Sequence, residues 1–302
     1  MDRMLLITNG DAGANDRESV DLALAVLRQA REVEVVETTS LDELDGVLQK
    51  RDGRVVVVAG GDGSLHAVVA ALYRRGELDQ PTIGLIPLGT GNDFARCVQI
   101  PLESARAARV ITGGRTDQID ILVDDEGGVV VNAVHAGAGA HAAREAKRWK
   151  KRLGKLGYVL GAVIAGVKVQ GEKLHVLIDD TVLANGTRRV LQVGVGNGSY
   201  VGGGTALTPA ADPTDGHVDL MISFAVARKD RLMYAVHLKR GTHEDRHDVH
   251  TAQATRVEIQ GRAFWCNTDG ELSGPMRRRS WEVRPQAFTM LLPTKEQAEP
   301  SQ

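Results

Sequence analysis

Val55-Val56-Val57-Val58-Ala59 runs directly into Gly60-Gly61-Asp62-Gly63-Ser64, a glycine-rich turn of the kind that holds a phosphate. Without a Cβ, the backbone N–H groups of such a turn can close on an anion. Leu65, Val68, Val69 and Leu72 keep helical spacing behind it, so the positive end of a helix dipole would face the same charge. Asp62 sets a carboxylate beside that anion, which is unfavourable unless a cation lies between them; a magnesium-linked nucleotide satisfies the pattern. The turn is neither the P-loop, which ends in Gly-Lys-Ser/Thr, nor the Gly-x-Gly-x-x-Gly dinucleotide fingerprint. A second glycine turn, Pro87-Leu88-Gly89-Thr90-Gly91-Asn92-Asp93-Phe94-Ala95, follows the apolar run Ile83-Gly84-Leu85-Ile86.

Both turns need a parallel sheet to bring them together. Met4 to Thr8, Val33 to Glu37, Val55 to Ala59 and Ile83 to Ile86 read as strands, and Asp16 to Arg31, Leu41 to Gln49 and Leu65 to Arg75 as helices. That alternation predicts an α/β domain of three layers with a mostly parallel sheet, whose ligands bind outside the carboxyl ends of the strands. From about Gln118 the rhythm changes to short strands between Gly, Asn and Asp turns, interrupted by one helical segment around Ala142 to Val167. The expected organisation is a nucleotide-binding α/β domain over residues 1–124, a β-rich, sandwich-like domain over 125–293, and a polar, disordered tail over 294–302.

The two glycine turns resemble the hallmarks of the diacylglycerol kinase catalytic family, Gly-Gly-Asp-Gly-Thr followed by Pro-Leu-Gly-Thr-Gly-Asn-Asp-Phe-Ala. Ser64 stands at the threonine position and keeps its hydroxyl; the second motif matches throughout. Asn9-Gly10-Asp11-Ala12-Gly13 resembles the family's Asn-Pro-x-Ser/Ala-Gly turn, with Gly10 in place of proline. Asn197 to Gly204 and Pro209 to Leu220 are similar to its Asn-Gly-x-x-x-Gly-Gly-Gly and Asp-Asp-Gly-x-Leu-Asp segments, with Thr214 replacing the first acid of the pair. Asn267-Thr268-Asp269-Gly270-Glu271 fits its late Asp-Gly-Glu element.

The resemblance implies transfer of the γ-phosphoryl group of ATP to a lipid hydroxyl, most simply diacylglycerol to phosphatidic acid. It implies nucleotide contacts from Asn9, Thr39, Gly60, Gly61, Asp62, Gly63, Ser64, Gly89, Thr90, Gly91, Asn92 and Glu271, with Asp269 as general base. It also implies magnesium near Asp62, Asp93 and Asp120, and a structural cation at Asp215. Each assignment has a plain structural alternative. Asp269 before Gly270 is a common turn aspartate; Asp93 can cap the helix that begins at Phe94; Asp120 can be a solvated acid at a strand start; Asp215-Gly216 can be a hairpin turn. Thr39 competes with a helix cap, which Ser40 before Leu41-Asp42-Glu43 can itself supply.

Arg144, Lys147, Arg148, Lys150, Lys151, Arg152 and Lys155 surround Trp149, which reads either as a solvated helix face or as transient contact with an anionic membrane. His243, His247 and His250 read as surface residues, and Cys97 and Cys266 as small buried hydrophobes. Within 302 residues a formal net charge of −2 gives no bulk electrostatic case for nucleic acid. No apolar run approaches the roughly 18 residues of a membrane span, so the expectation is a cytoplasmic protein, peripheral at the inner membrane face, with a homodimer left open. A kinase for a sphingoid base or a non-lipid hydroxyl is the rival enzyme reading, with NAD kinase disfavoured by the second glycine motif. A non-catalytic lipid- or nucleotide-binding homologue is the rival outside enzymes.

Overall fold

The computed structural model describes residues 3–10, 14–137, 140 and 171–298. The chain forms two compact units: unit 1 is Met1–Ile121, Asp212–Gly216 and Arg284–Gln302, and unit 2 is Leu122–Ala211 and His217–Val283. This differs from a single crossover after residue 124, because the chain returns twice to unit 1. The basic segment 144–155 and the helix expected around 142–167 lie outside the described residues.

Unit 1 alternates strand and helix: β1 (Arg3–Asn9), α1 (Ala14–Ala30), β2 (Glu32–Thr38), α2 (Leu41–Gln49), β3 (Val55–Gly60), α3 (Asp62–Arg74), β4 (Thr82–Pro87), α4 (Asp93–Cys97), α5 (Ser104–Gly113) and β5 (Arg115–Asp124). β2, β1, β3 and β4 lie side by side and parallel. Right-handed crossovers put α1 on one face of that sheet and α2 with α3 on the other. The interior strands β3 and β4 are buried at every position, as continuous Val/Ile/Leu runs require. Leu65, Val68, Val69 and Leu72 give α3 a buried stripe, each contributing about 2 kcal/mol of apolar burial. That stripe fixes where the helix N-terminus points. Helix α5 was not legible in the sequence: Ala107, Ala108, Val110 and Ile111 bury a narrow face against α1 and β4 amid arginines.

Unit 2 is antiparallel. Its described strands are β6 (Val129–Val130), β7 (Ala133–Gly137), β8 (Leu174–Ile178), β9 (Thr181–Asn185), β10 (Gln192–Gly196), β11 (Tyr200–Val201), β12 (Thr205–Ala206), β13 (Val218–Ser223), β14 (Val249–Ala254), β15 (Arg256–Thr268) and β16 (Glu271–Leu292), with the helix α6 (Arg228–Arg240) and a short 3-10 turn (His243–Asp245) between β13 and β14. β15 pairs with β8 through its first half and with β7 through its second, with irregular register between Gln260 and Cys266. Val134, Val193, Leu220, Val257, Phe264 and Trp281 anchor the core between these strands.

The last strand, β16, re-enters unit 1, where Thr289 and Met290 pair in parallel with Thr82 and Ile83 of β4. The tail expected to be disordered begins with an ordered turn. Gln297 and Ala298 donate backbone N–H groups to the Thr294 carbonyl, and the Gln297 side chain bonds the Arg109 carbonyl.

Candidate active site

The two glycine turns meet backbone to backbone in unit 1. A Cβ on Gly61 would lie 2.9 Å from the Gly89 Cα, and one on Gly89 would lie 2.6 Å from the Gly61 Cα, so neither position tolerates a side chain. The Leu88 N–H donates to the Gly60 carbonyl at 3.0 Å, and the Phe94 N–H donates to Asp62 Oδ1 at 3.0 Å. Asn92, in the left-handed region at φ 51°, donates its amide N–H to the Gly89 carbonyl at 2.7 Å. Its buried Oδ1 has no partner among the described residues. Asp93, 7% exposed, opens the short helix α4.

Helix α3 begins at Asp62, three residues earlier than the apolar spacing predicts, and its N-cap Gly61 brings no capping side chain. The Ser64 N–H donates to the Gly61 carbonyl at 3.0 Å, which leaves the Asp62 and Gly63 N–H groups available to an anion. Beside them is a pocket of about 170 Å³ lined by Thr8, Asn9, Asp16, Ala59, Gly60, Gly61, Ser64 and Leu88, at the carboxyl ends of β1 and β3. Asn9, Gly60, Gly61 and Ser64 were expected there. Thr8 and Asp16 were not, although a strand-end threonine and a first-turn aspartate after the Asn9 loop carried the signal.

Thr39 does not line the pocket. Its N–H and hydroxyl donate to Glu43 Oε2 at 2.8 and 2.9 Å, while Ser40 Oγ accepts the Glu43 N–H at 3.2 Å. The residue expected to touch nucleotide is thus part of the cap of α2, with Ser40 as N-cap.

Asp120, 1% exposed, uses both carboxylate oxygens on backbone: Oδ2 accepts the Gly216 N–H and Oδ1 the Gln286 N–H, each at 2.7 Å. Burial raises its pKa, with the charges of Asp215 and Asp212 adding to the shift. Asp120, expected near magnesium with Asp62 and Asp93, thereby pins the 212–216 loop and the returning strand to β5. Among the described residues no three His, Cys, Asp or Glu side chains gather as metal ligands.

Asp269 belongs to unit 2, in the two-residue turn between β15 and β16. Asp269 and Gly270 both have positive φ, 47° and 91°, as a type I′ turn requires. The Asp269 carboxylate accepts backbone N–H groups from Val131 (2.7 Å), Asn132 (3.0 Å) and Ala133 (2.9 Å). These three bonds tie the turn to the segment Val131 to Ala133. Glu271, two residues on, is exposed at the first position of β16.

Of the other singled-out residues, His243 is fully buried, contrary to its surface reading; its Nε2 meets the Leu207 carbonyl at 2.9 Å, and burial lowers its pKa. Cys266 is buried and Cys97 partly exposed, both as free thiols.

Residues 3–123 match the diacylglycerol kinase catalytic domain model, and residues 132–292 match that of the YegS C-terminal NAD kinase beta sandwich-like domain. The chain belongs to the diacylglycerol kinase catalytic family. Among relatives in this family, the probable lipid kinase YegS-like of Pectobacterium atrosepticum is 32% identical over 79% of this chain and 78% of its own. A Serratia proteamaculans protein of the same name is 28% identical over 96% and 93% of the two chains. A crystal structure of a diacylglycerol kinase from Bacillus anthracis shares the fold, with a TM-score of 0.75 at 24% identity over 96% of this chain and 97% of that one.

The residues present fit a nucleotide of the kind this kinase family uses. The side-chain-free junction of Gly61 and Gly89, the open N-terminus of α3 and the pocket beside it form a cradle for phosphate oxygens. For a divalent cation the fit is narrower. Asp62 Oδ2 makes no hydrogen bond among the described residues, which suits one carboxylate facing a hydrated ion and not a cage of acids.

Proposed function

We propose that this protein is an ATP-dependent lipid kinase that phosphorylates the free hydroxyl of diacylglycerol. One observation carries the nucleotide half of this reading: two glycine turns in backbone contact, locked by the Asp62–Phe94 hydrogen bond, beside the uncapped start of α3. Phosphoryl transfer asks mainly for positioning and charge neutralisation, which backbone N–H groups and a helix N-terminus supply without a reactive side chain. Magnesium, when bound, would neutralise phosphate charge beside Asp62.

The acceptor oxygen forms its bond to the γ-phosphorus as the bond to the β–γ bridging oxygen breaks, and ADP leaves. The hydroxyl proton needs an acceptor. Glu271 is the side chain proposed for that role, because its carboxylate is exposed whereas that of Asp269 is spent on three N–H donors. The lipid half is supported by the family and by the names its relatives carry. No helix among the described residues is long and apolar enough to cross a membrane.

The test is phosphate transfer from labelled ATP with magnesium into diacylglycerol in mixed micelles, beside a sphingoid base, NAD and no acceptor. Labelled phosphatidic acid is the expected product. Label only in another acceptor would retain the kinase and replace the substrate, and no transfer to any acceptor would overturn the catalytic reading.

A further inference from the structure

Helix α6 carries apolar residues on both of its faces, and among the described residues only one face packs into a core. Tyr234, 3% exposed, and the partly buried Leu238 pack into a small core with Leu207, Met221 and Val249. The Tyr234 hydroxyl donates to Gln192 Oε1 at 3.3 Å, and its ring meets the His243 ring edge-on at 6.1 Å. These contacts fix the helix on unit 2 and determine what points away.

The outward face presents Leu232, 62% exposed, and Met233, 47% exposed. Among the described residues, the other exposed large hydrophobics, Leu22, Leu41 and Val182, stand singly on three different elements. Val236 continues the Leu232 row at i+4 spacing. Exposed Arg228 and Lys229 lie at one end of this apolar stripe and exposed Lys239 and Arg240 at the other, about 16 Å apart at the helical rise. The one acid of the helix, Asp230, acts on Arg246 of the following segment.

The charges at the helix start are informative. Cations in a first turn oppose the helix dipole; Ala227 at the N-cap offers no side chain, and Asp230 is the one first-turn residue whose charge favours the dipole. Arg228 and Lys229 therefore add nothing to the helix itself. An apolar centre bracketed by cations is the arrangement of a helix that lies in a bilayer interface, where long basic side chains reach headgroups while their stems and neighbouring aliphatics sink below.

We infer that α6 docks this protein on anionic lipid, with Leu232, Met233 and Val236 entering the headgroup boundary and Arg228, Lys229, Lys239 and Arg240 pairing with lipid phosphates. Charge complementarity selects this occupant: four cations and no acid on the exposed face call for an anionic surface. The inference rests on the lipid-kinase reading for its purpose and on the helix alone for its geometry.

The test is co-sedimentation of the full chain with vesicles of phosphatidylcholine alone or mixed with phosphatidylglycerol, at low and high salt and without nucleotide. The wild type should bind the anionic vesicles, and high salt should release it. K229Q/K239Q should lower partitioning roughly 30-fold, at about 1 kcal/mol per cation, and L232N several-fold, with unchanged melting temperatures. Activity on a dispersed short-chain diacylglycerol should be unchanged in both variants, while activity on the vesicle-embedded lipid falls.

Equal vesicle binding by wild type and both variants would overturn the proposal and move docking elsewhere on the chain. Absent vesicle binding, with L232N changing the oligomeric state, would also overturn it and make this face a contact between copies. Variant-sensitive vesicle binding without phosphate transfer to any acceptor would uphold the docking helix while refuting the lipid-kinase reading.

Discussion

Asp62 accepts the backbone N–H of Phe94 at 3.0 Å, so a residue of the first glycine turn holds the second in place across 32 positions of sequence. One carboxylate oxygen serves structure, and the other is left to serve charge. The two roles separate by substitution. Asp62→Asn keeps an oxygen for Phe94 and removes the charge; it should retain the melting temperature and lower kcat by about 10²–10³ with a weakened response to magnesium. Asp62→Ala should lose both. Full activity in Asp62→Asn, measured over a magnesium titration, would remove the charge from the mechanism.

Gly61→Ala forces a Cβ to within 2.9 Å of the Gly89 Cα, where backbone must move. The expected cost is about 1–3 kcal/mol of stability and loss of ATP binding, read by denaturant unfolding and by calorimetry. Gly63, around whose Cβ position nothing lies within 4 Å, is the control. Gly63→Ala should fold like the wild type.

Glu271→Gln and Asp269→Ala should differ in kind. The first removes an exposed carboxylate and should lower kcat by about 10²–10⁴ with no change in melting temperature. The second strands the N–H groups of Val131, Asn132 and Ala133 and should destabilise unit 2 by about 2 kcal/mol or more. Normal turnover in Glu271→Gln would require another proton acceptor.

Acid should weaken the fold through His135. Burial on β7 lowers its pKa from 6.5 to about 4, against a side-chain hydrogen bond with Asn267 that acts the other way. The unfolded chain therefore takes up the proton first. This contribution is complete above pH 6.5 and is lost as pH falls toward 4, by at most about 3 kcal/mol. Unfolding midpoints at a series of pH values should show that slope in the wild type and a shallower one in His135→Gln.

The parallel strands and both glycine turns were legible because each lies within one short run, where apolar β-branched residues and glycine carry local information. Pairings made across the chain were not legible. Asp269 reads locally as a turn residue or a base, and nothing near it in sequence announces the backbone of Val131 to Ala133, more than 130 positions away, that its carboxylate holds. Asp120 is similar: its partners Gly216 and Gln286 are 96 and 166 residues distant. Helix α6 escaped notice because apolar residues on two faces blur the 3.6-residue period that marks an ordinary surface helix.

Strand β16 ends beside β4, with Thr289 opposite Thr82. The nucleotide-binding sheet is therefore completed by residues translated after all of unit 2. During synthesis residues 1–121 emerge with the outer edge of β4 unpaired, and that edge stays open until residues 289 and 290 have been made. Both glycine turns are therefore made long before the strand that closes the edge of their sheet.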